Sequence, residues 1–432
     1  MFENSKTKRP AQILAGVAVG LQLLIGPALV LAAPGQLSGA RQLVAASTPM
    51  ATSTPVVTIT PEAALVRVLA ASRLRAGWFA PAFLTQVSVA QVQQVIAALK
   101  TQLGLYRKTT AGQDGSYLVS FARGTVQAHI HLDDQGRIDG LLFTNVHFTY
   151  LSRSAALAGL KNLPGHVSVL VLANGSPHVA VNADVSLAVG STFKLAVMAA
   201  LKQRIAAHQL SWQQQIALKA SDKSLPSGIL QTKPAGSRYT ISEVARYMIS
   251  ISDNTAANML IRVVGRSAIA PLIPRRDRPL LTTRELFILK APANHDLAVR
   301  FIAASTPSRR LAVLNAVDRR PLPSPRVLSR LLERGPVVPQ IEYFFTGRQL
   351  CGLMGQVSEL PQMSVNSGVA ARPDWTHVAY KGGSEAGVIN LTTMATSLSG
   401  RTYCVSATWN NATNLDEGHF EQIYSSLLHS FH

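Results

Sequence analysis

Cysteine is nearly absent from this chain of 432 residues, which contains only Cys351 and Cys404. Neither lies near the N-terminus, so a lipid-accepting cysteine is excluded there. The chain can form at most one internal disulfide. Two cysteines in an exported protein could pair, and the sequence leaves open whether these two do.

Acidic residues are also scarce: 22 Asp and Glu accompany 41 Lys and Arg, which gives a formal net charge of +19. The excess is largest between Arg262 and Arg334, where fifteen basic residues accompany five acidic ones. Two interpretations stay open. Such a charge attracts an anionic partner, such as a cell-wall polymer, a membrane surface or a carboxylate substrate, or it is a solvated, arginine-rich surface.

Aromatic residues make up 6% of the chain and do not interleave with the basic residues. A basic surface that binds nucleic acid usually combines the two or carries a known binding module. We therefore expect no nucleic-acid partner. The chain has no internal repeat, and its length and its 47% hydrophobic content suit two or three globular domains.

Residues 1–33 have the pattern of a secretory signal peptide. Three basic residues begin it, an apolar run follows from Ile13 to Ala32, and small residues at its end suit cleavage. The run approaches the roughly 20 residues that span a bilayer, so an uncleaved N-terminal anchor is the alternative. In either case the rest of the chain is expected outside the cytoplasm. Residues 34–60, rich in Pro, Ser, Thr and Ala, are predicted to be a disordered linker.

Residues 61–150 are predicted to form a small α+β domain. Ala63–Leu74 and Val87–Leu103 have helical apolar spacing, and three short strands follow. The predicted strands are Tyr117–Ala122, Thr125–Leu132 and Ile138–Phe148. Helices followed by a curved antiparallel sheet often enclose a conical pocket.

His129 and His131 alternate onto one face of the second of these strands, near two aspartates. A metal site is conceivable there, but no third ligand follows at a suitable spacing, so an exposed strand face is favoured. No metal or cofactor is predicted for the chain.

Residues 155–432 are predicted to form a larger domain that mixes helices and strands. The predicted strands are Val167–Leu172, His178–Val181, Trp375–Lys381, Gly387–Leu398 and Thr402–Thr408. The predicted helices include Ile241–Ser250, Ala256–Val264 and Glu417–His429. Proline- and arginine-rich loops are expected at Pro271–Arg278 and Pro321–Gln340.

This domain is organised around Ser191-Thr192-Phe193-Lys194, which an apolar run follows directly. The pattern predicts a loop that turns into a buried helix, with the serine and the lysine one above the other on one face. At the positive end of the helix dipole a developing negative charge is favoured. A lysine in a dry pocket beside a second cation can lose its proton and act as base for the serine. We therefore predict that Ser191 is a nucleophile.

Ser252-Asp253-Asn254, between two predicted helices, could add a second hydroxyl and an amide to such a site. Ser252 could relay a proton, and Asn254 could hold Lys194 or a substrate carbonyl. Ordinary helix capping is the alternative, because Ser, Asp and Asn are the residues that helix N-termini prefer.

Lys381-Gly382-Gly383-Ser384 places a lysine at the predicted end of a strand. The two glycines would let a substrate approach the backbone closely, and the cation could bind a carboxylate. A glycine-rich turn with a surface lysine is the alternative.

In this order, the three patterns resemble the S-x-x-K, S-D-N and K-T-G motifs of the serine β-lactamase and penicillin-binding superfamily. The resemblance covers roughly Leu157–His432. It implies a β-lactamase/transpeptidase-like domain of class A type, in which an antiparallel sheet is flanked by helices and joined to a helical subdomain.

The resemblance also implies a role for each site residue. Ser191 is acylated, Lys194 is its base, and Ser252 donates a proton to the leaving group. The backbone N–H groups of Ser191 and Ser384 form the oxyanion hole, and Lys381 attracts the substrate carboxylate. The implied substrate-binding residues are Asn254, Lys381, Gly383 and Ser384.

One departure from the class A pattern affects the second half of the reaction. Those enzymes carry a glutamate between the second and third motifs that activates water for deacylation. Here the interval between Asn254 and Thr282 is short, and its only carboxylate is Asp277, which lies among arginines. Glu285 is expected in the next helix. We therefore expect acylation by a β-lactam followed by slow deacylation.

A second departure is Gly382, which replaces the hydroxyl residue of K-T-G and leaves Ser384 to contact the carboxylate. Both departures resemble a subgroup of class A-like serine hydrolases that includes the cephalosporin esterase of clavulanic acid biosynthesis. That esterase carries a small isomerase- or cyclase-like domain ahead of its β-lactamase-like domain, and residues 61–150 look similar to it.

The function that the resemblance implies is that of a secreted serine hydrolase acting on a small β-lactam or a related ester or amide. Two alternatives stay open. One is a penicillin-binding-like D,D-peptidase that acts on cell-wall peptides. The other is a protein that binds β-lactams or the cell wall without turnover.

Overall fold

The computed structural model describes residues 29–32, 59–112, 114–225, 227–324, 326–327 and 336–432. The predicted signal segment and linker lie almost entirely outside the described residues. Within residues 1–58 the structure describes strand β1 (Leu29–Ala32), which pairs antiparallel with Gly140–Phe143. No helix in the described ranges is both long enough and apolar enough to cross a membrane.

Three helices and an antiparallel sheet make up residues 61–148. The helices are α1 (Pro61–Ala70), α2 (Pro81–Leu84) and α3 (Val89–Leu103). The strands are β2 (Tyr106–Ala111), β3 (Tyr117–Phe121), β4 (Gly124–Leu132) and β5 (Ile138–Phe148). The strand order is β1-β5-β4-β3-β2. The likeness of this unit to an isomerase or cyclase domain stays a prediction.

Helix α3 is defined at both ends by its sequence. Ser88 and Gln91 form a capping box at its start, which satisfies backbone N–H groups that have no partner within the helix. Gly104, with φ +81°, ends it in a conformation that glycine adopts without strain. Its buried stripe, which includes Val92, Ile96 and Leu99, attaches the helix to the sheet.

The C-terminal end of α3 contacts the last helix of the chain, α13 (Glu417–His429). Gly418 permits this approach, because a Cβ there would lie 2.4 Å from the Gln102 carbonyl oxygen. Arg123 joins the two helices: it donates to the Thr101 carbonyl at 2.5 Å and pairs with Asp416 at 2.8 Å. These contacts fix the end of α3 beside α13.

A five-stranded antiparallel sheet organises residues 155–432. Its strands, in spatial order, are β12 (Trp375–Glu385), β13 (Val388–Ser397), β14 (Thr402–Asn410), β6 (His166–Ala173) and β7 (Ser176–Val181). The β6–β7 turn is Asn174-Gly175, and both residues have positive φ. Strand β12 lies at an edge of the sheet, so one side of its backbone faces away from the other strands.

Helices cover both faces of this sheet. Along β6, Leu170 belongs to one hydrophobic cluster while Val169 and Val171 belong to the other, as the two-residue period of a strand requires. Helices α4 (Arg153–Lys161) and α13 pack on the face of Val169, and α5 (Lys194–Ala206) and α12 (Gly347–Val357) pack on the opposite face.

A helical subdomain packs beyond α5. Its helices are α6 (Ile241–Ser250), α7 (Asn254–Val264), α8 (Arg266–Ile269), α9 (Thr283–Lys290), α10 (His295–Ala303) and α11 (Pro307–Val317). Two short antiparallel pairs accompany it, β8 (Leu187–Ala188) with β11 (Phe344–Phe345) and β9 (Gln215–Ala217) with β10 (Arg238–Thr240).

The structure corrects the predicted end of the strand that carries Lys381. Strand β12 does not end at Lys381 but continues to Glu385, because Gly382–Ser384 stay paired with β13. The predicted loop at Pro271–Arg278 contains two short turns of 3₁₀ helix.

Cys351 and Cys404 form a disulfide that joins helix α12 to strand β14. The sequence had left this pairing open. The two residues are 53 positions apart in sequence and both are buried, so the bond closes a long loop within the core.

Candidate active site

Ser191 lies in one turn of 3₁₀ helix, Gly190–Phe193, directly after strand β8. Helix α5 begins at Lys194, and all residues from Lys194 to Leu201 are buried. A helix that is buried on every side belongs to the core. The core therefore fixes the position of Lys194 relative to the serine one turn ahead of it.

The Lys194 amine contacts three predicted site residues. Its Nζ lies 3.1 Å from Ser191 Oγ and 3.1 Å from Ser252 Oγ. It donates to Asn254 Oδ1 at 2.7 Å and to the Ser252 carbonyl oxygen at 2.5 Å. The side chain of Asn254 donates in turn to the Leu225 carbonyl at 3.1 Å. Of the two predicted partners of Asn254, Lys194 or a substrate carbonyl, the structure therefore shows Lys194.

The environment of Lys194 favours the uncharged amine. The residue is 0% exposed, and its burial lowers the pKa of Lys194 well below the usual value. The positive charge of Lys381 lowers this pKa further, and Asp253 opposes the change. An uncharged amine can accept the proton of a neighbouring hydroxyl.

In the Ser252-Asp253-Asn254 segment, one residue caps a helix and the other two contact Lys194. Asp253 caps helix α7, since its Oδ1 accepts from Ala256 N at 2.8 Å. Its Oδ2 accepts from Leu230 N, outside this helix, at 2.9 Å. Ser252 adopts φ +54°, a conformation that is uncommon for residues other than glycine. Capping and the site thus use different residues of one segment.

Lys381 approaches the same hydroxyl from strand β12. Its Nζ lies 3.0 Å from Ser252 Oγ and 2.5 Å from the Gly382 carbonyl oxygen. The side chain is buried, and burial lowers the pKa of Lys381 to about 7. The Ser252 hydroxyl is therefore in contact with two amines, an arrangement that can pass a proton.

Each glycine of the third motif has a packing reason. A Cβ at Gly383 would lie 2.4 Å from the Ser191 backbone nitrogen and 2.3 Å from the Val189 carbonyl oxygen. A Cβ at Gly382 would lie 2.1 Å from Tyr380 Oη. The ring of Tyr380 thus occupies the space that a larger residue at position 382 would need.

The backbone of Gly383–Ser384 lies directly against that of the Ser191 turn. Gly190 has φ +51°, and a Cβ there would lie 3.2 Å from Ser384 N. The backbone N–H groups of Ser191 and Ser384 are thus on adjoining segments. This placement suits the predicted oxyanion hole.

Two glutamates of helix α13 that were not predicted, Glu417 and Glu421, lie beside Ser384 and Gln102. Glu417 is hydrogen-bonded to Ser384, and Glu421 Oε2 accepts from Gln102 Nε2 at 3.0 Å. Burial raises the pKa of each glutamate to about 7. Their spacing of four residues on an otherwise apolar helix face is the signal that could have revealed them.

A cavity of about 390 Å³ is lined by Tyr380–Ser384 of strand β12 and by Ile389 and Leu391 of strand β13. Ser252, Lys381, Gly383 and Ser384 line it together with the two glutamates. The other wall is formed by residues of helix α3, namely Gln94, Ala97, Ala98, Thr101 and Gln102. Among the predicted site residues, Lys194 and Asn254 are buried, and Ser191 is partly exposed beside Gly383.

Asp277 and Glu285 are the carboxylates closest to the interval in which class A enzymes carry the deacylating glutamate. Both make their contacts elsewhere. Asp277 lines a separate cavity of about 220 Å³ and accepts from Phe344 N at 2.7 Å. Burial raises the pKa of Asp277 to about 7. Glu285 caps helix α9 through Thr282 and pairs with Arg266, so it belongs to the next helix as predicted.

The two histidines of strand β4 take no part in this site. His131 Nδ1 lies 2.5 Å from Asp139 Oδ1, and the His131 side chain is exposed. Within the described ranges, the one group of three side chains spaced to hold a metal is Asp374, His429 and His432. It had not been predicted.

Residues 152–310 match the model of the Beta-lactamase enzyme family. The matched stretch contains the S-x-x-K and S-D-N segments and ends before Lys381. The match confirms the predicted resemblance to class A β-lactamase-like serine hydrolases. The predicted fold is also confirmed: the β-lactamase-like region combines an antiparallel sheet, helices on both faces and a helical subdomain.

Three similar solved structures are a β-lactamase from Sphaerobacter thermophilus, a β-lactamase from Chitinophaga pinensis and a PBP-A mutant in an acyl-enzyme complex with penicillin G. The Sphaerobacter protein is 20% identical over 65% of this chain and 95% of its own, with a TM-score of 0.45. The Chitinophaga protein is 17% identical over 64% and 97%, with a TM-score of 0.42. The PBP-A mutant is 17% identical over 65% and 95%, with a TM-score of 0.40. No curated protein matches the chain.

Proposed function

We propose that this protein is a serine hydrolase whose Ser191 is acylated by a β-lactam or by a related ester or amide. The observation that carries the proposal is the contact between Ser191 and Lys194. The amine lies 3.1 Å from the hydroxyl oxygen and is fully buried. Because burial and Lys381 lower the pKa of Lys194, a larger fraction of the amine is uncharged near neutral pH and can act as base.

In the acylation step, Ser191 Oγ bonds to the substrate carbonyl carbon while its proton passes to Lys194. The negative charge that forms on the carbonyl oxygen is stabilised by the backbone N–H groups of Ser191 and Ser384. Such a donor contributes roughly 3–4 kcal/mol in comparable sites. The tetrahedral intermediate then collapses, and the bond from the carbonyl carbon to the leaving group breaks.

The leaving group needs a proton as that bond breaks. Ser252 suits this role, because its hydroxyl contacts the Lys194 amine at 3.1 Å and the Lys381 amine at 3.0 Å. The proton taken from Ser191 passes from Lys194 through Ser252 to the leaving group. Asn254 is a positioning residue, since its amide holds Lys194 and does not face the cavity.

Deacylation is proposed to be slow for a β-lactam. Between Asn254 and Thr282 the only carboxylate is Asp277, and its contacts are with Phe344 in a separate cavity. Without a base placed to activate water, the acyl-enzyme persists. An opened β-lactam stays attached to the acylated serine as a ring fragment, whereas a simple ester loses its alcohol on acylation. We therefore propose that simple esters are turned over.

We also propose that the protein acts outside the cytoplasm. The signal-like pattern of residues 1–33 and the disulfide between Cys351 and Cys404 support this. The net charge of +19 would favour an anionic wall or membrane surface near the substrate.

The test is intact-protein mass spectrometry after mixing the protein with a penicillin, a cephalosporin or an acyl-D-Ala-D-Ala peptide. A Ser191→Ala variant is the matched control. We expect a persistent adduct on the unsubstituted chain and none on the variant. Rapid release would contradict slow deacylation, and turnover of the peptide would favour the peptidase alternative.

If neither protein is labelled by these compounds, simple phenylacetate esters are tested next. A chain that none of the compounds modifies at Ser191 would leave the proposal without support. An adduct that also forms on Ser191→Ala would place the nucleophile elsewhere.

A further inference from the structure

We propose that Lys290, Glu342 and Glu385 are positioning residues that fix the two halves of the oxyanion hole relative to each other, and that they do so only while the two carboxyl groups share a proton. The three residues are called the Lys290 cluster below. This inference rests on the proposed acylation of Ser191 and adds to it a dependence on alkaline pH.

The Lys290 cluster joins three segments of the chain around one buried ammonium group. Lys290 is the last residue of helix α9, Glu385 is the last residue of strand β12, and Glu342 lies just before strand β11. The Lys290 amine donates to Glu342 Oε1 and, at 2.7 Å, to Glu385 Oε1. The three side chains are 6%, 4% and 16% exposed, in the order Lys290, Glu342, Glu385, so water screens their charges little.

One side of the cluster reaches the segment that carries the Ser384 oxyanion donor. Glu385 directly follows Ser384 and forms, with Val388, the last residue pair between β12 and β13. Strand β12 is at an edge of its sheet, so among the described strands only β13 holds its backbone. The bond from Lys290 therefore ties the end of this edge strand to helix α9.

The other side of the cluster reaches the turn that carries Ser191. Tyr343, the residue after Glu342, accepts a hydrogen bond from Val189 N at 2.9 Å through its carbonyl oxygen. Its ring stacks on that of Phe193 with 3.7 Å between the ring centroids. Val189 and Phe193 lie on either side of Ser191 in the 3₁₀ turn. The cluster is thus attached to both segments that supply an oxyanion donor.

The charges within the cluster call for a shared proton. Glu342 is hydrogen-bonded to Glu385, and one carboxyl of such a pair must carry the proton that it donates. Glu342 Oε2 is buried and accepts a hydrogen bond from no group in the described part of the chain. Burial and the charge of Glu385 raise the pKa of Glu342 to about 8, although Lys290 opposes this. Above that pH two buried carboxylates face one ammonium, and their hydrogen bond is replaced by repulsion.

The remaining ionisable groups near the cluster are Tyr343, Asp277, Arg276, Arg310 and the ion pair of Glu285 with Arg266. Burial raises the pKa of Tyr343 well above the usual value, so its hydroxyl stays neutral. The charges of Arg276 and Arg310 act on Asp277, whose pKa they lower against the effect of burial. Burial lowers the pKa of Lys290, but the two carboxylates raise it above the usual value, so the ammonium stays charged.

The first test is the rate at which a neutral phenylacetate ester acylates Ser191 between pH 6 and pH 10, measured by rapid quenching and intact mass. On the unsubstituted chain we expect the rate to pass through a maximum and then fall about tenfold as the oxyanion donors separate. Glu342→Gln supplies an amide that donates to Glu385 and accepts from Lys290 at every pH. In this variant the alkaline fall should shrink to about twofold or less.

The matched control is Asp277→Asn. Asp277 is a second buried carboxyl whose pKa is raised to about 7, and it lines the same cavity of about 220 Å³ as Glu342. It is not part of the Lys290 cluster, so the full alkaline fall should remain in this variant. An alkaline fall that survives Glu342→Gln, or that is absent from the unsubstituted chain, would overturn the inference.

A second test separates positioning from support of the fold. At pH 7, Glu385→Ala should lower the acylation rate at saturating ester about tenfold and leave the half-saturating concentration within about twofold, because oxyanion donors act mainly on the transition state. Glu385→Gln, whose amide still accepts from Lys290, should restore most of that rate. Equal rates for the two variants would reject the positioning role. If Glu385→Ala does not fold, the comparison of Glu342→Gln with Asp277→Asn decides.

If no ester acylates Ser191, the shared proton is tested by urea unfolding of the unsubstituted chain and of Glu342→Gln between pH 5 and pH 8. A carboxyl that keeps its proton in the folded state, and releases it near pH 4.5 when unfolded, makes stability fall as pH rises through this range. A midpoint difference that grows with pH would support the cluster and reject only the proposed reaction. A difference that does not change with pH would reject both.

Discussion

Gly383 lies so close to Ser191 that a Cβ atom at position 383 would sit 2.4 Å from the Ser191 backbone nitrogen. The same atom would lie 2.6 Å from the backbone nitrogen of Thr192. The strand that holds Lys381 and the turn that holds the nucleophile are therefore in direct backbone contact. Any side chain at position 383 must move one of them relative to the other.

A Gly383→Ala substitution should therefore move strand β12, which carries both Lys381 and Ser384, away from the turn that carries Ser191, and so separate the two oxyanion donors. A shift of about 1 Å in such a site typically lowers the rate about 10²-fold. We expect the second-order rate of Ser191 acylation, measured by intact mass, to fall by about that factor. Gly352→Ala is the control, because position 352 is exposed on helix α12 with nothing within 4 Å of its Cβ. Equal rates for the two variants would contradict the assigned contact.

The pH dependence of acylation should report the state of Lys194. Its amine is active when uncharged, so the rate should rise with pH through the lowered pKa of Lys194. The positive charge of Lys381 contributes to that lowering. In Lys381→Gln the pKa of Lys194 should therefore rise, and the ascending limb of the profile should move to higher pH.

The direction of this movement is the diagnostic result, because loss of a substrate contact alone would lower the rate at every pH without moving the limb. The measurement is the acylation rate with a neutral ester between pH 5 and 10 for both proteins. A limb that stays in place, or that moves to lower pH, would show that Lys194 is not the base that titrates.

Local sequence patterns predicted the elements that carry the motifs. The predicted helix Ile241–Ser250 and the predicted strand Ile138–Phe148 have those bounds in the structure. In both elements, the spacing of the apolar residues matches the positions that are buried. Strand β2 (Tyr106–Ala111) was missed, because it lies at an edge of its sheet and its sequence, Tyr-Arg-Lys-Thr-Thr-Ala, has no apolar alternation.

The site could be predicted only where its residues lie in recognisable runs. Ser252 and Lys381 are in contact across 129 positions of sequence, and their motifs indicated this. The contact of Glu417 with Ser384 was not predictable, because it depends on how helix α13 packs across the sheet. The role of Gly382 was also hidden, since only the folded position of the Tyr380 ring shows why a larger residue is excluded.

Removing the disulfide should destabilise the fold without removing the site. The bond between Cys351 and Cys404 spans 53 positions, and a loop of this size is expected to contribute about 2–4 kcal/mol to the free energy of unfolding. We expect this loss in a Cys351→Ala/Cys404→Ala variant, measured by guanidinium unfolding. A reducing agent should destabilise the unsubstituted chain by a similar amount and leave the variant unchanged. No effect of reductant on the unsubstituted chain would show that the two cysteines are not paired.

Glu421 should reduce the stability of the folded protein at neutral pH. Burial raises the pKa of Glu421 from the ordinary 4.5 to about 7 in the folded protein. Between these two values the folded state binds a proton that the unfolded state has released, so stability falls as pH rises. Above pH 7 both states are ionised, and the cost no longer grows. In Glu421→Gln this cost is absent at every pH.

The variant should therefore gain stability over the unsubstituted chain as pH rises from 5 to 8. Because the side chain faces the cavity and is partly solvated, we expect a gain of about 1–2 kcal/mol at pH 8 and little difference at pH 5. The measurement is urea unfolding at both pH values, with Glu62→Gln, at an exposed position, as the control for loss of charge. A difference that is the same at pH 5 and pH 8 would show that Glu421 is not protonated preferentially in the folded state. The carboxylate would then be well solvated in the folded protein.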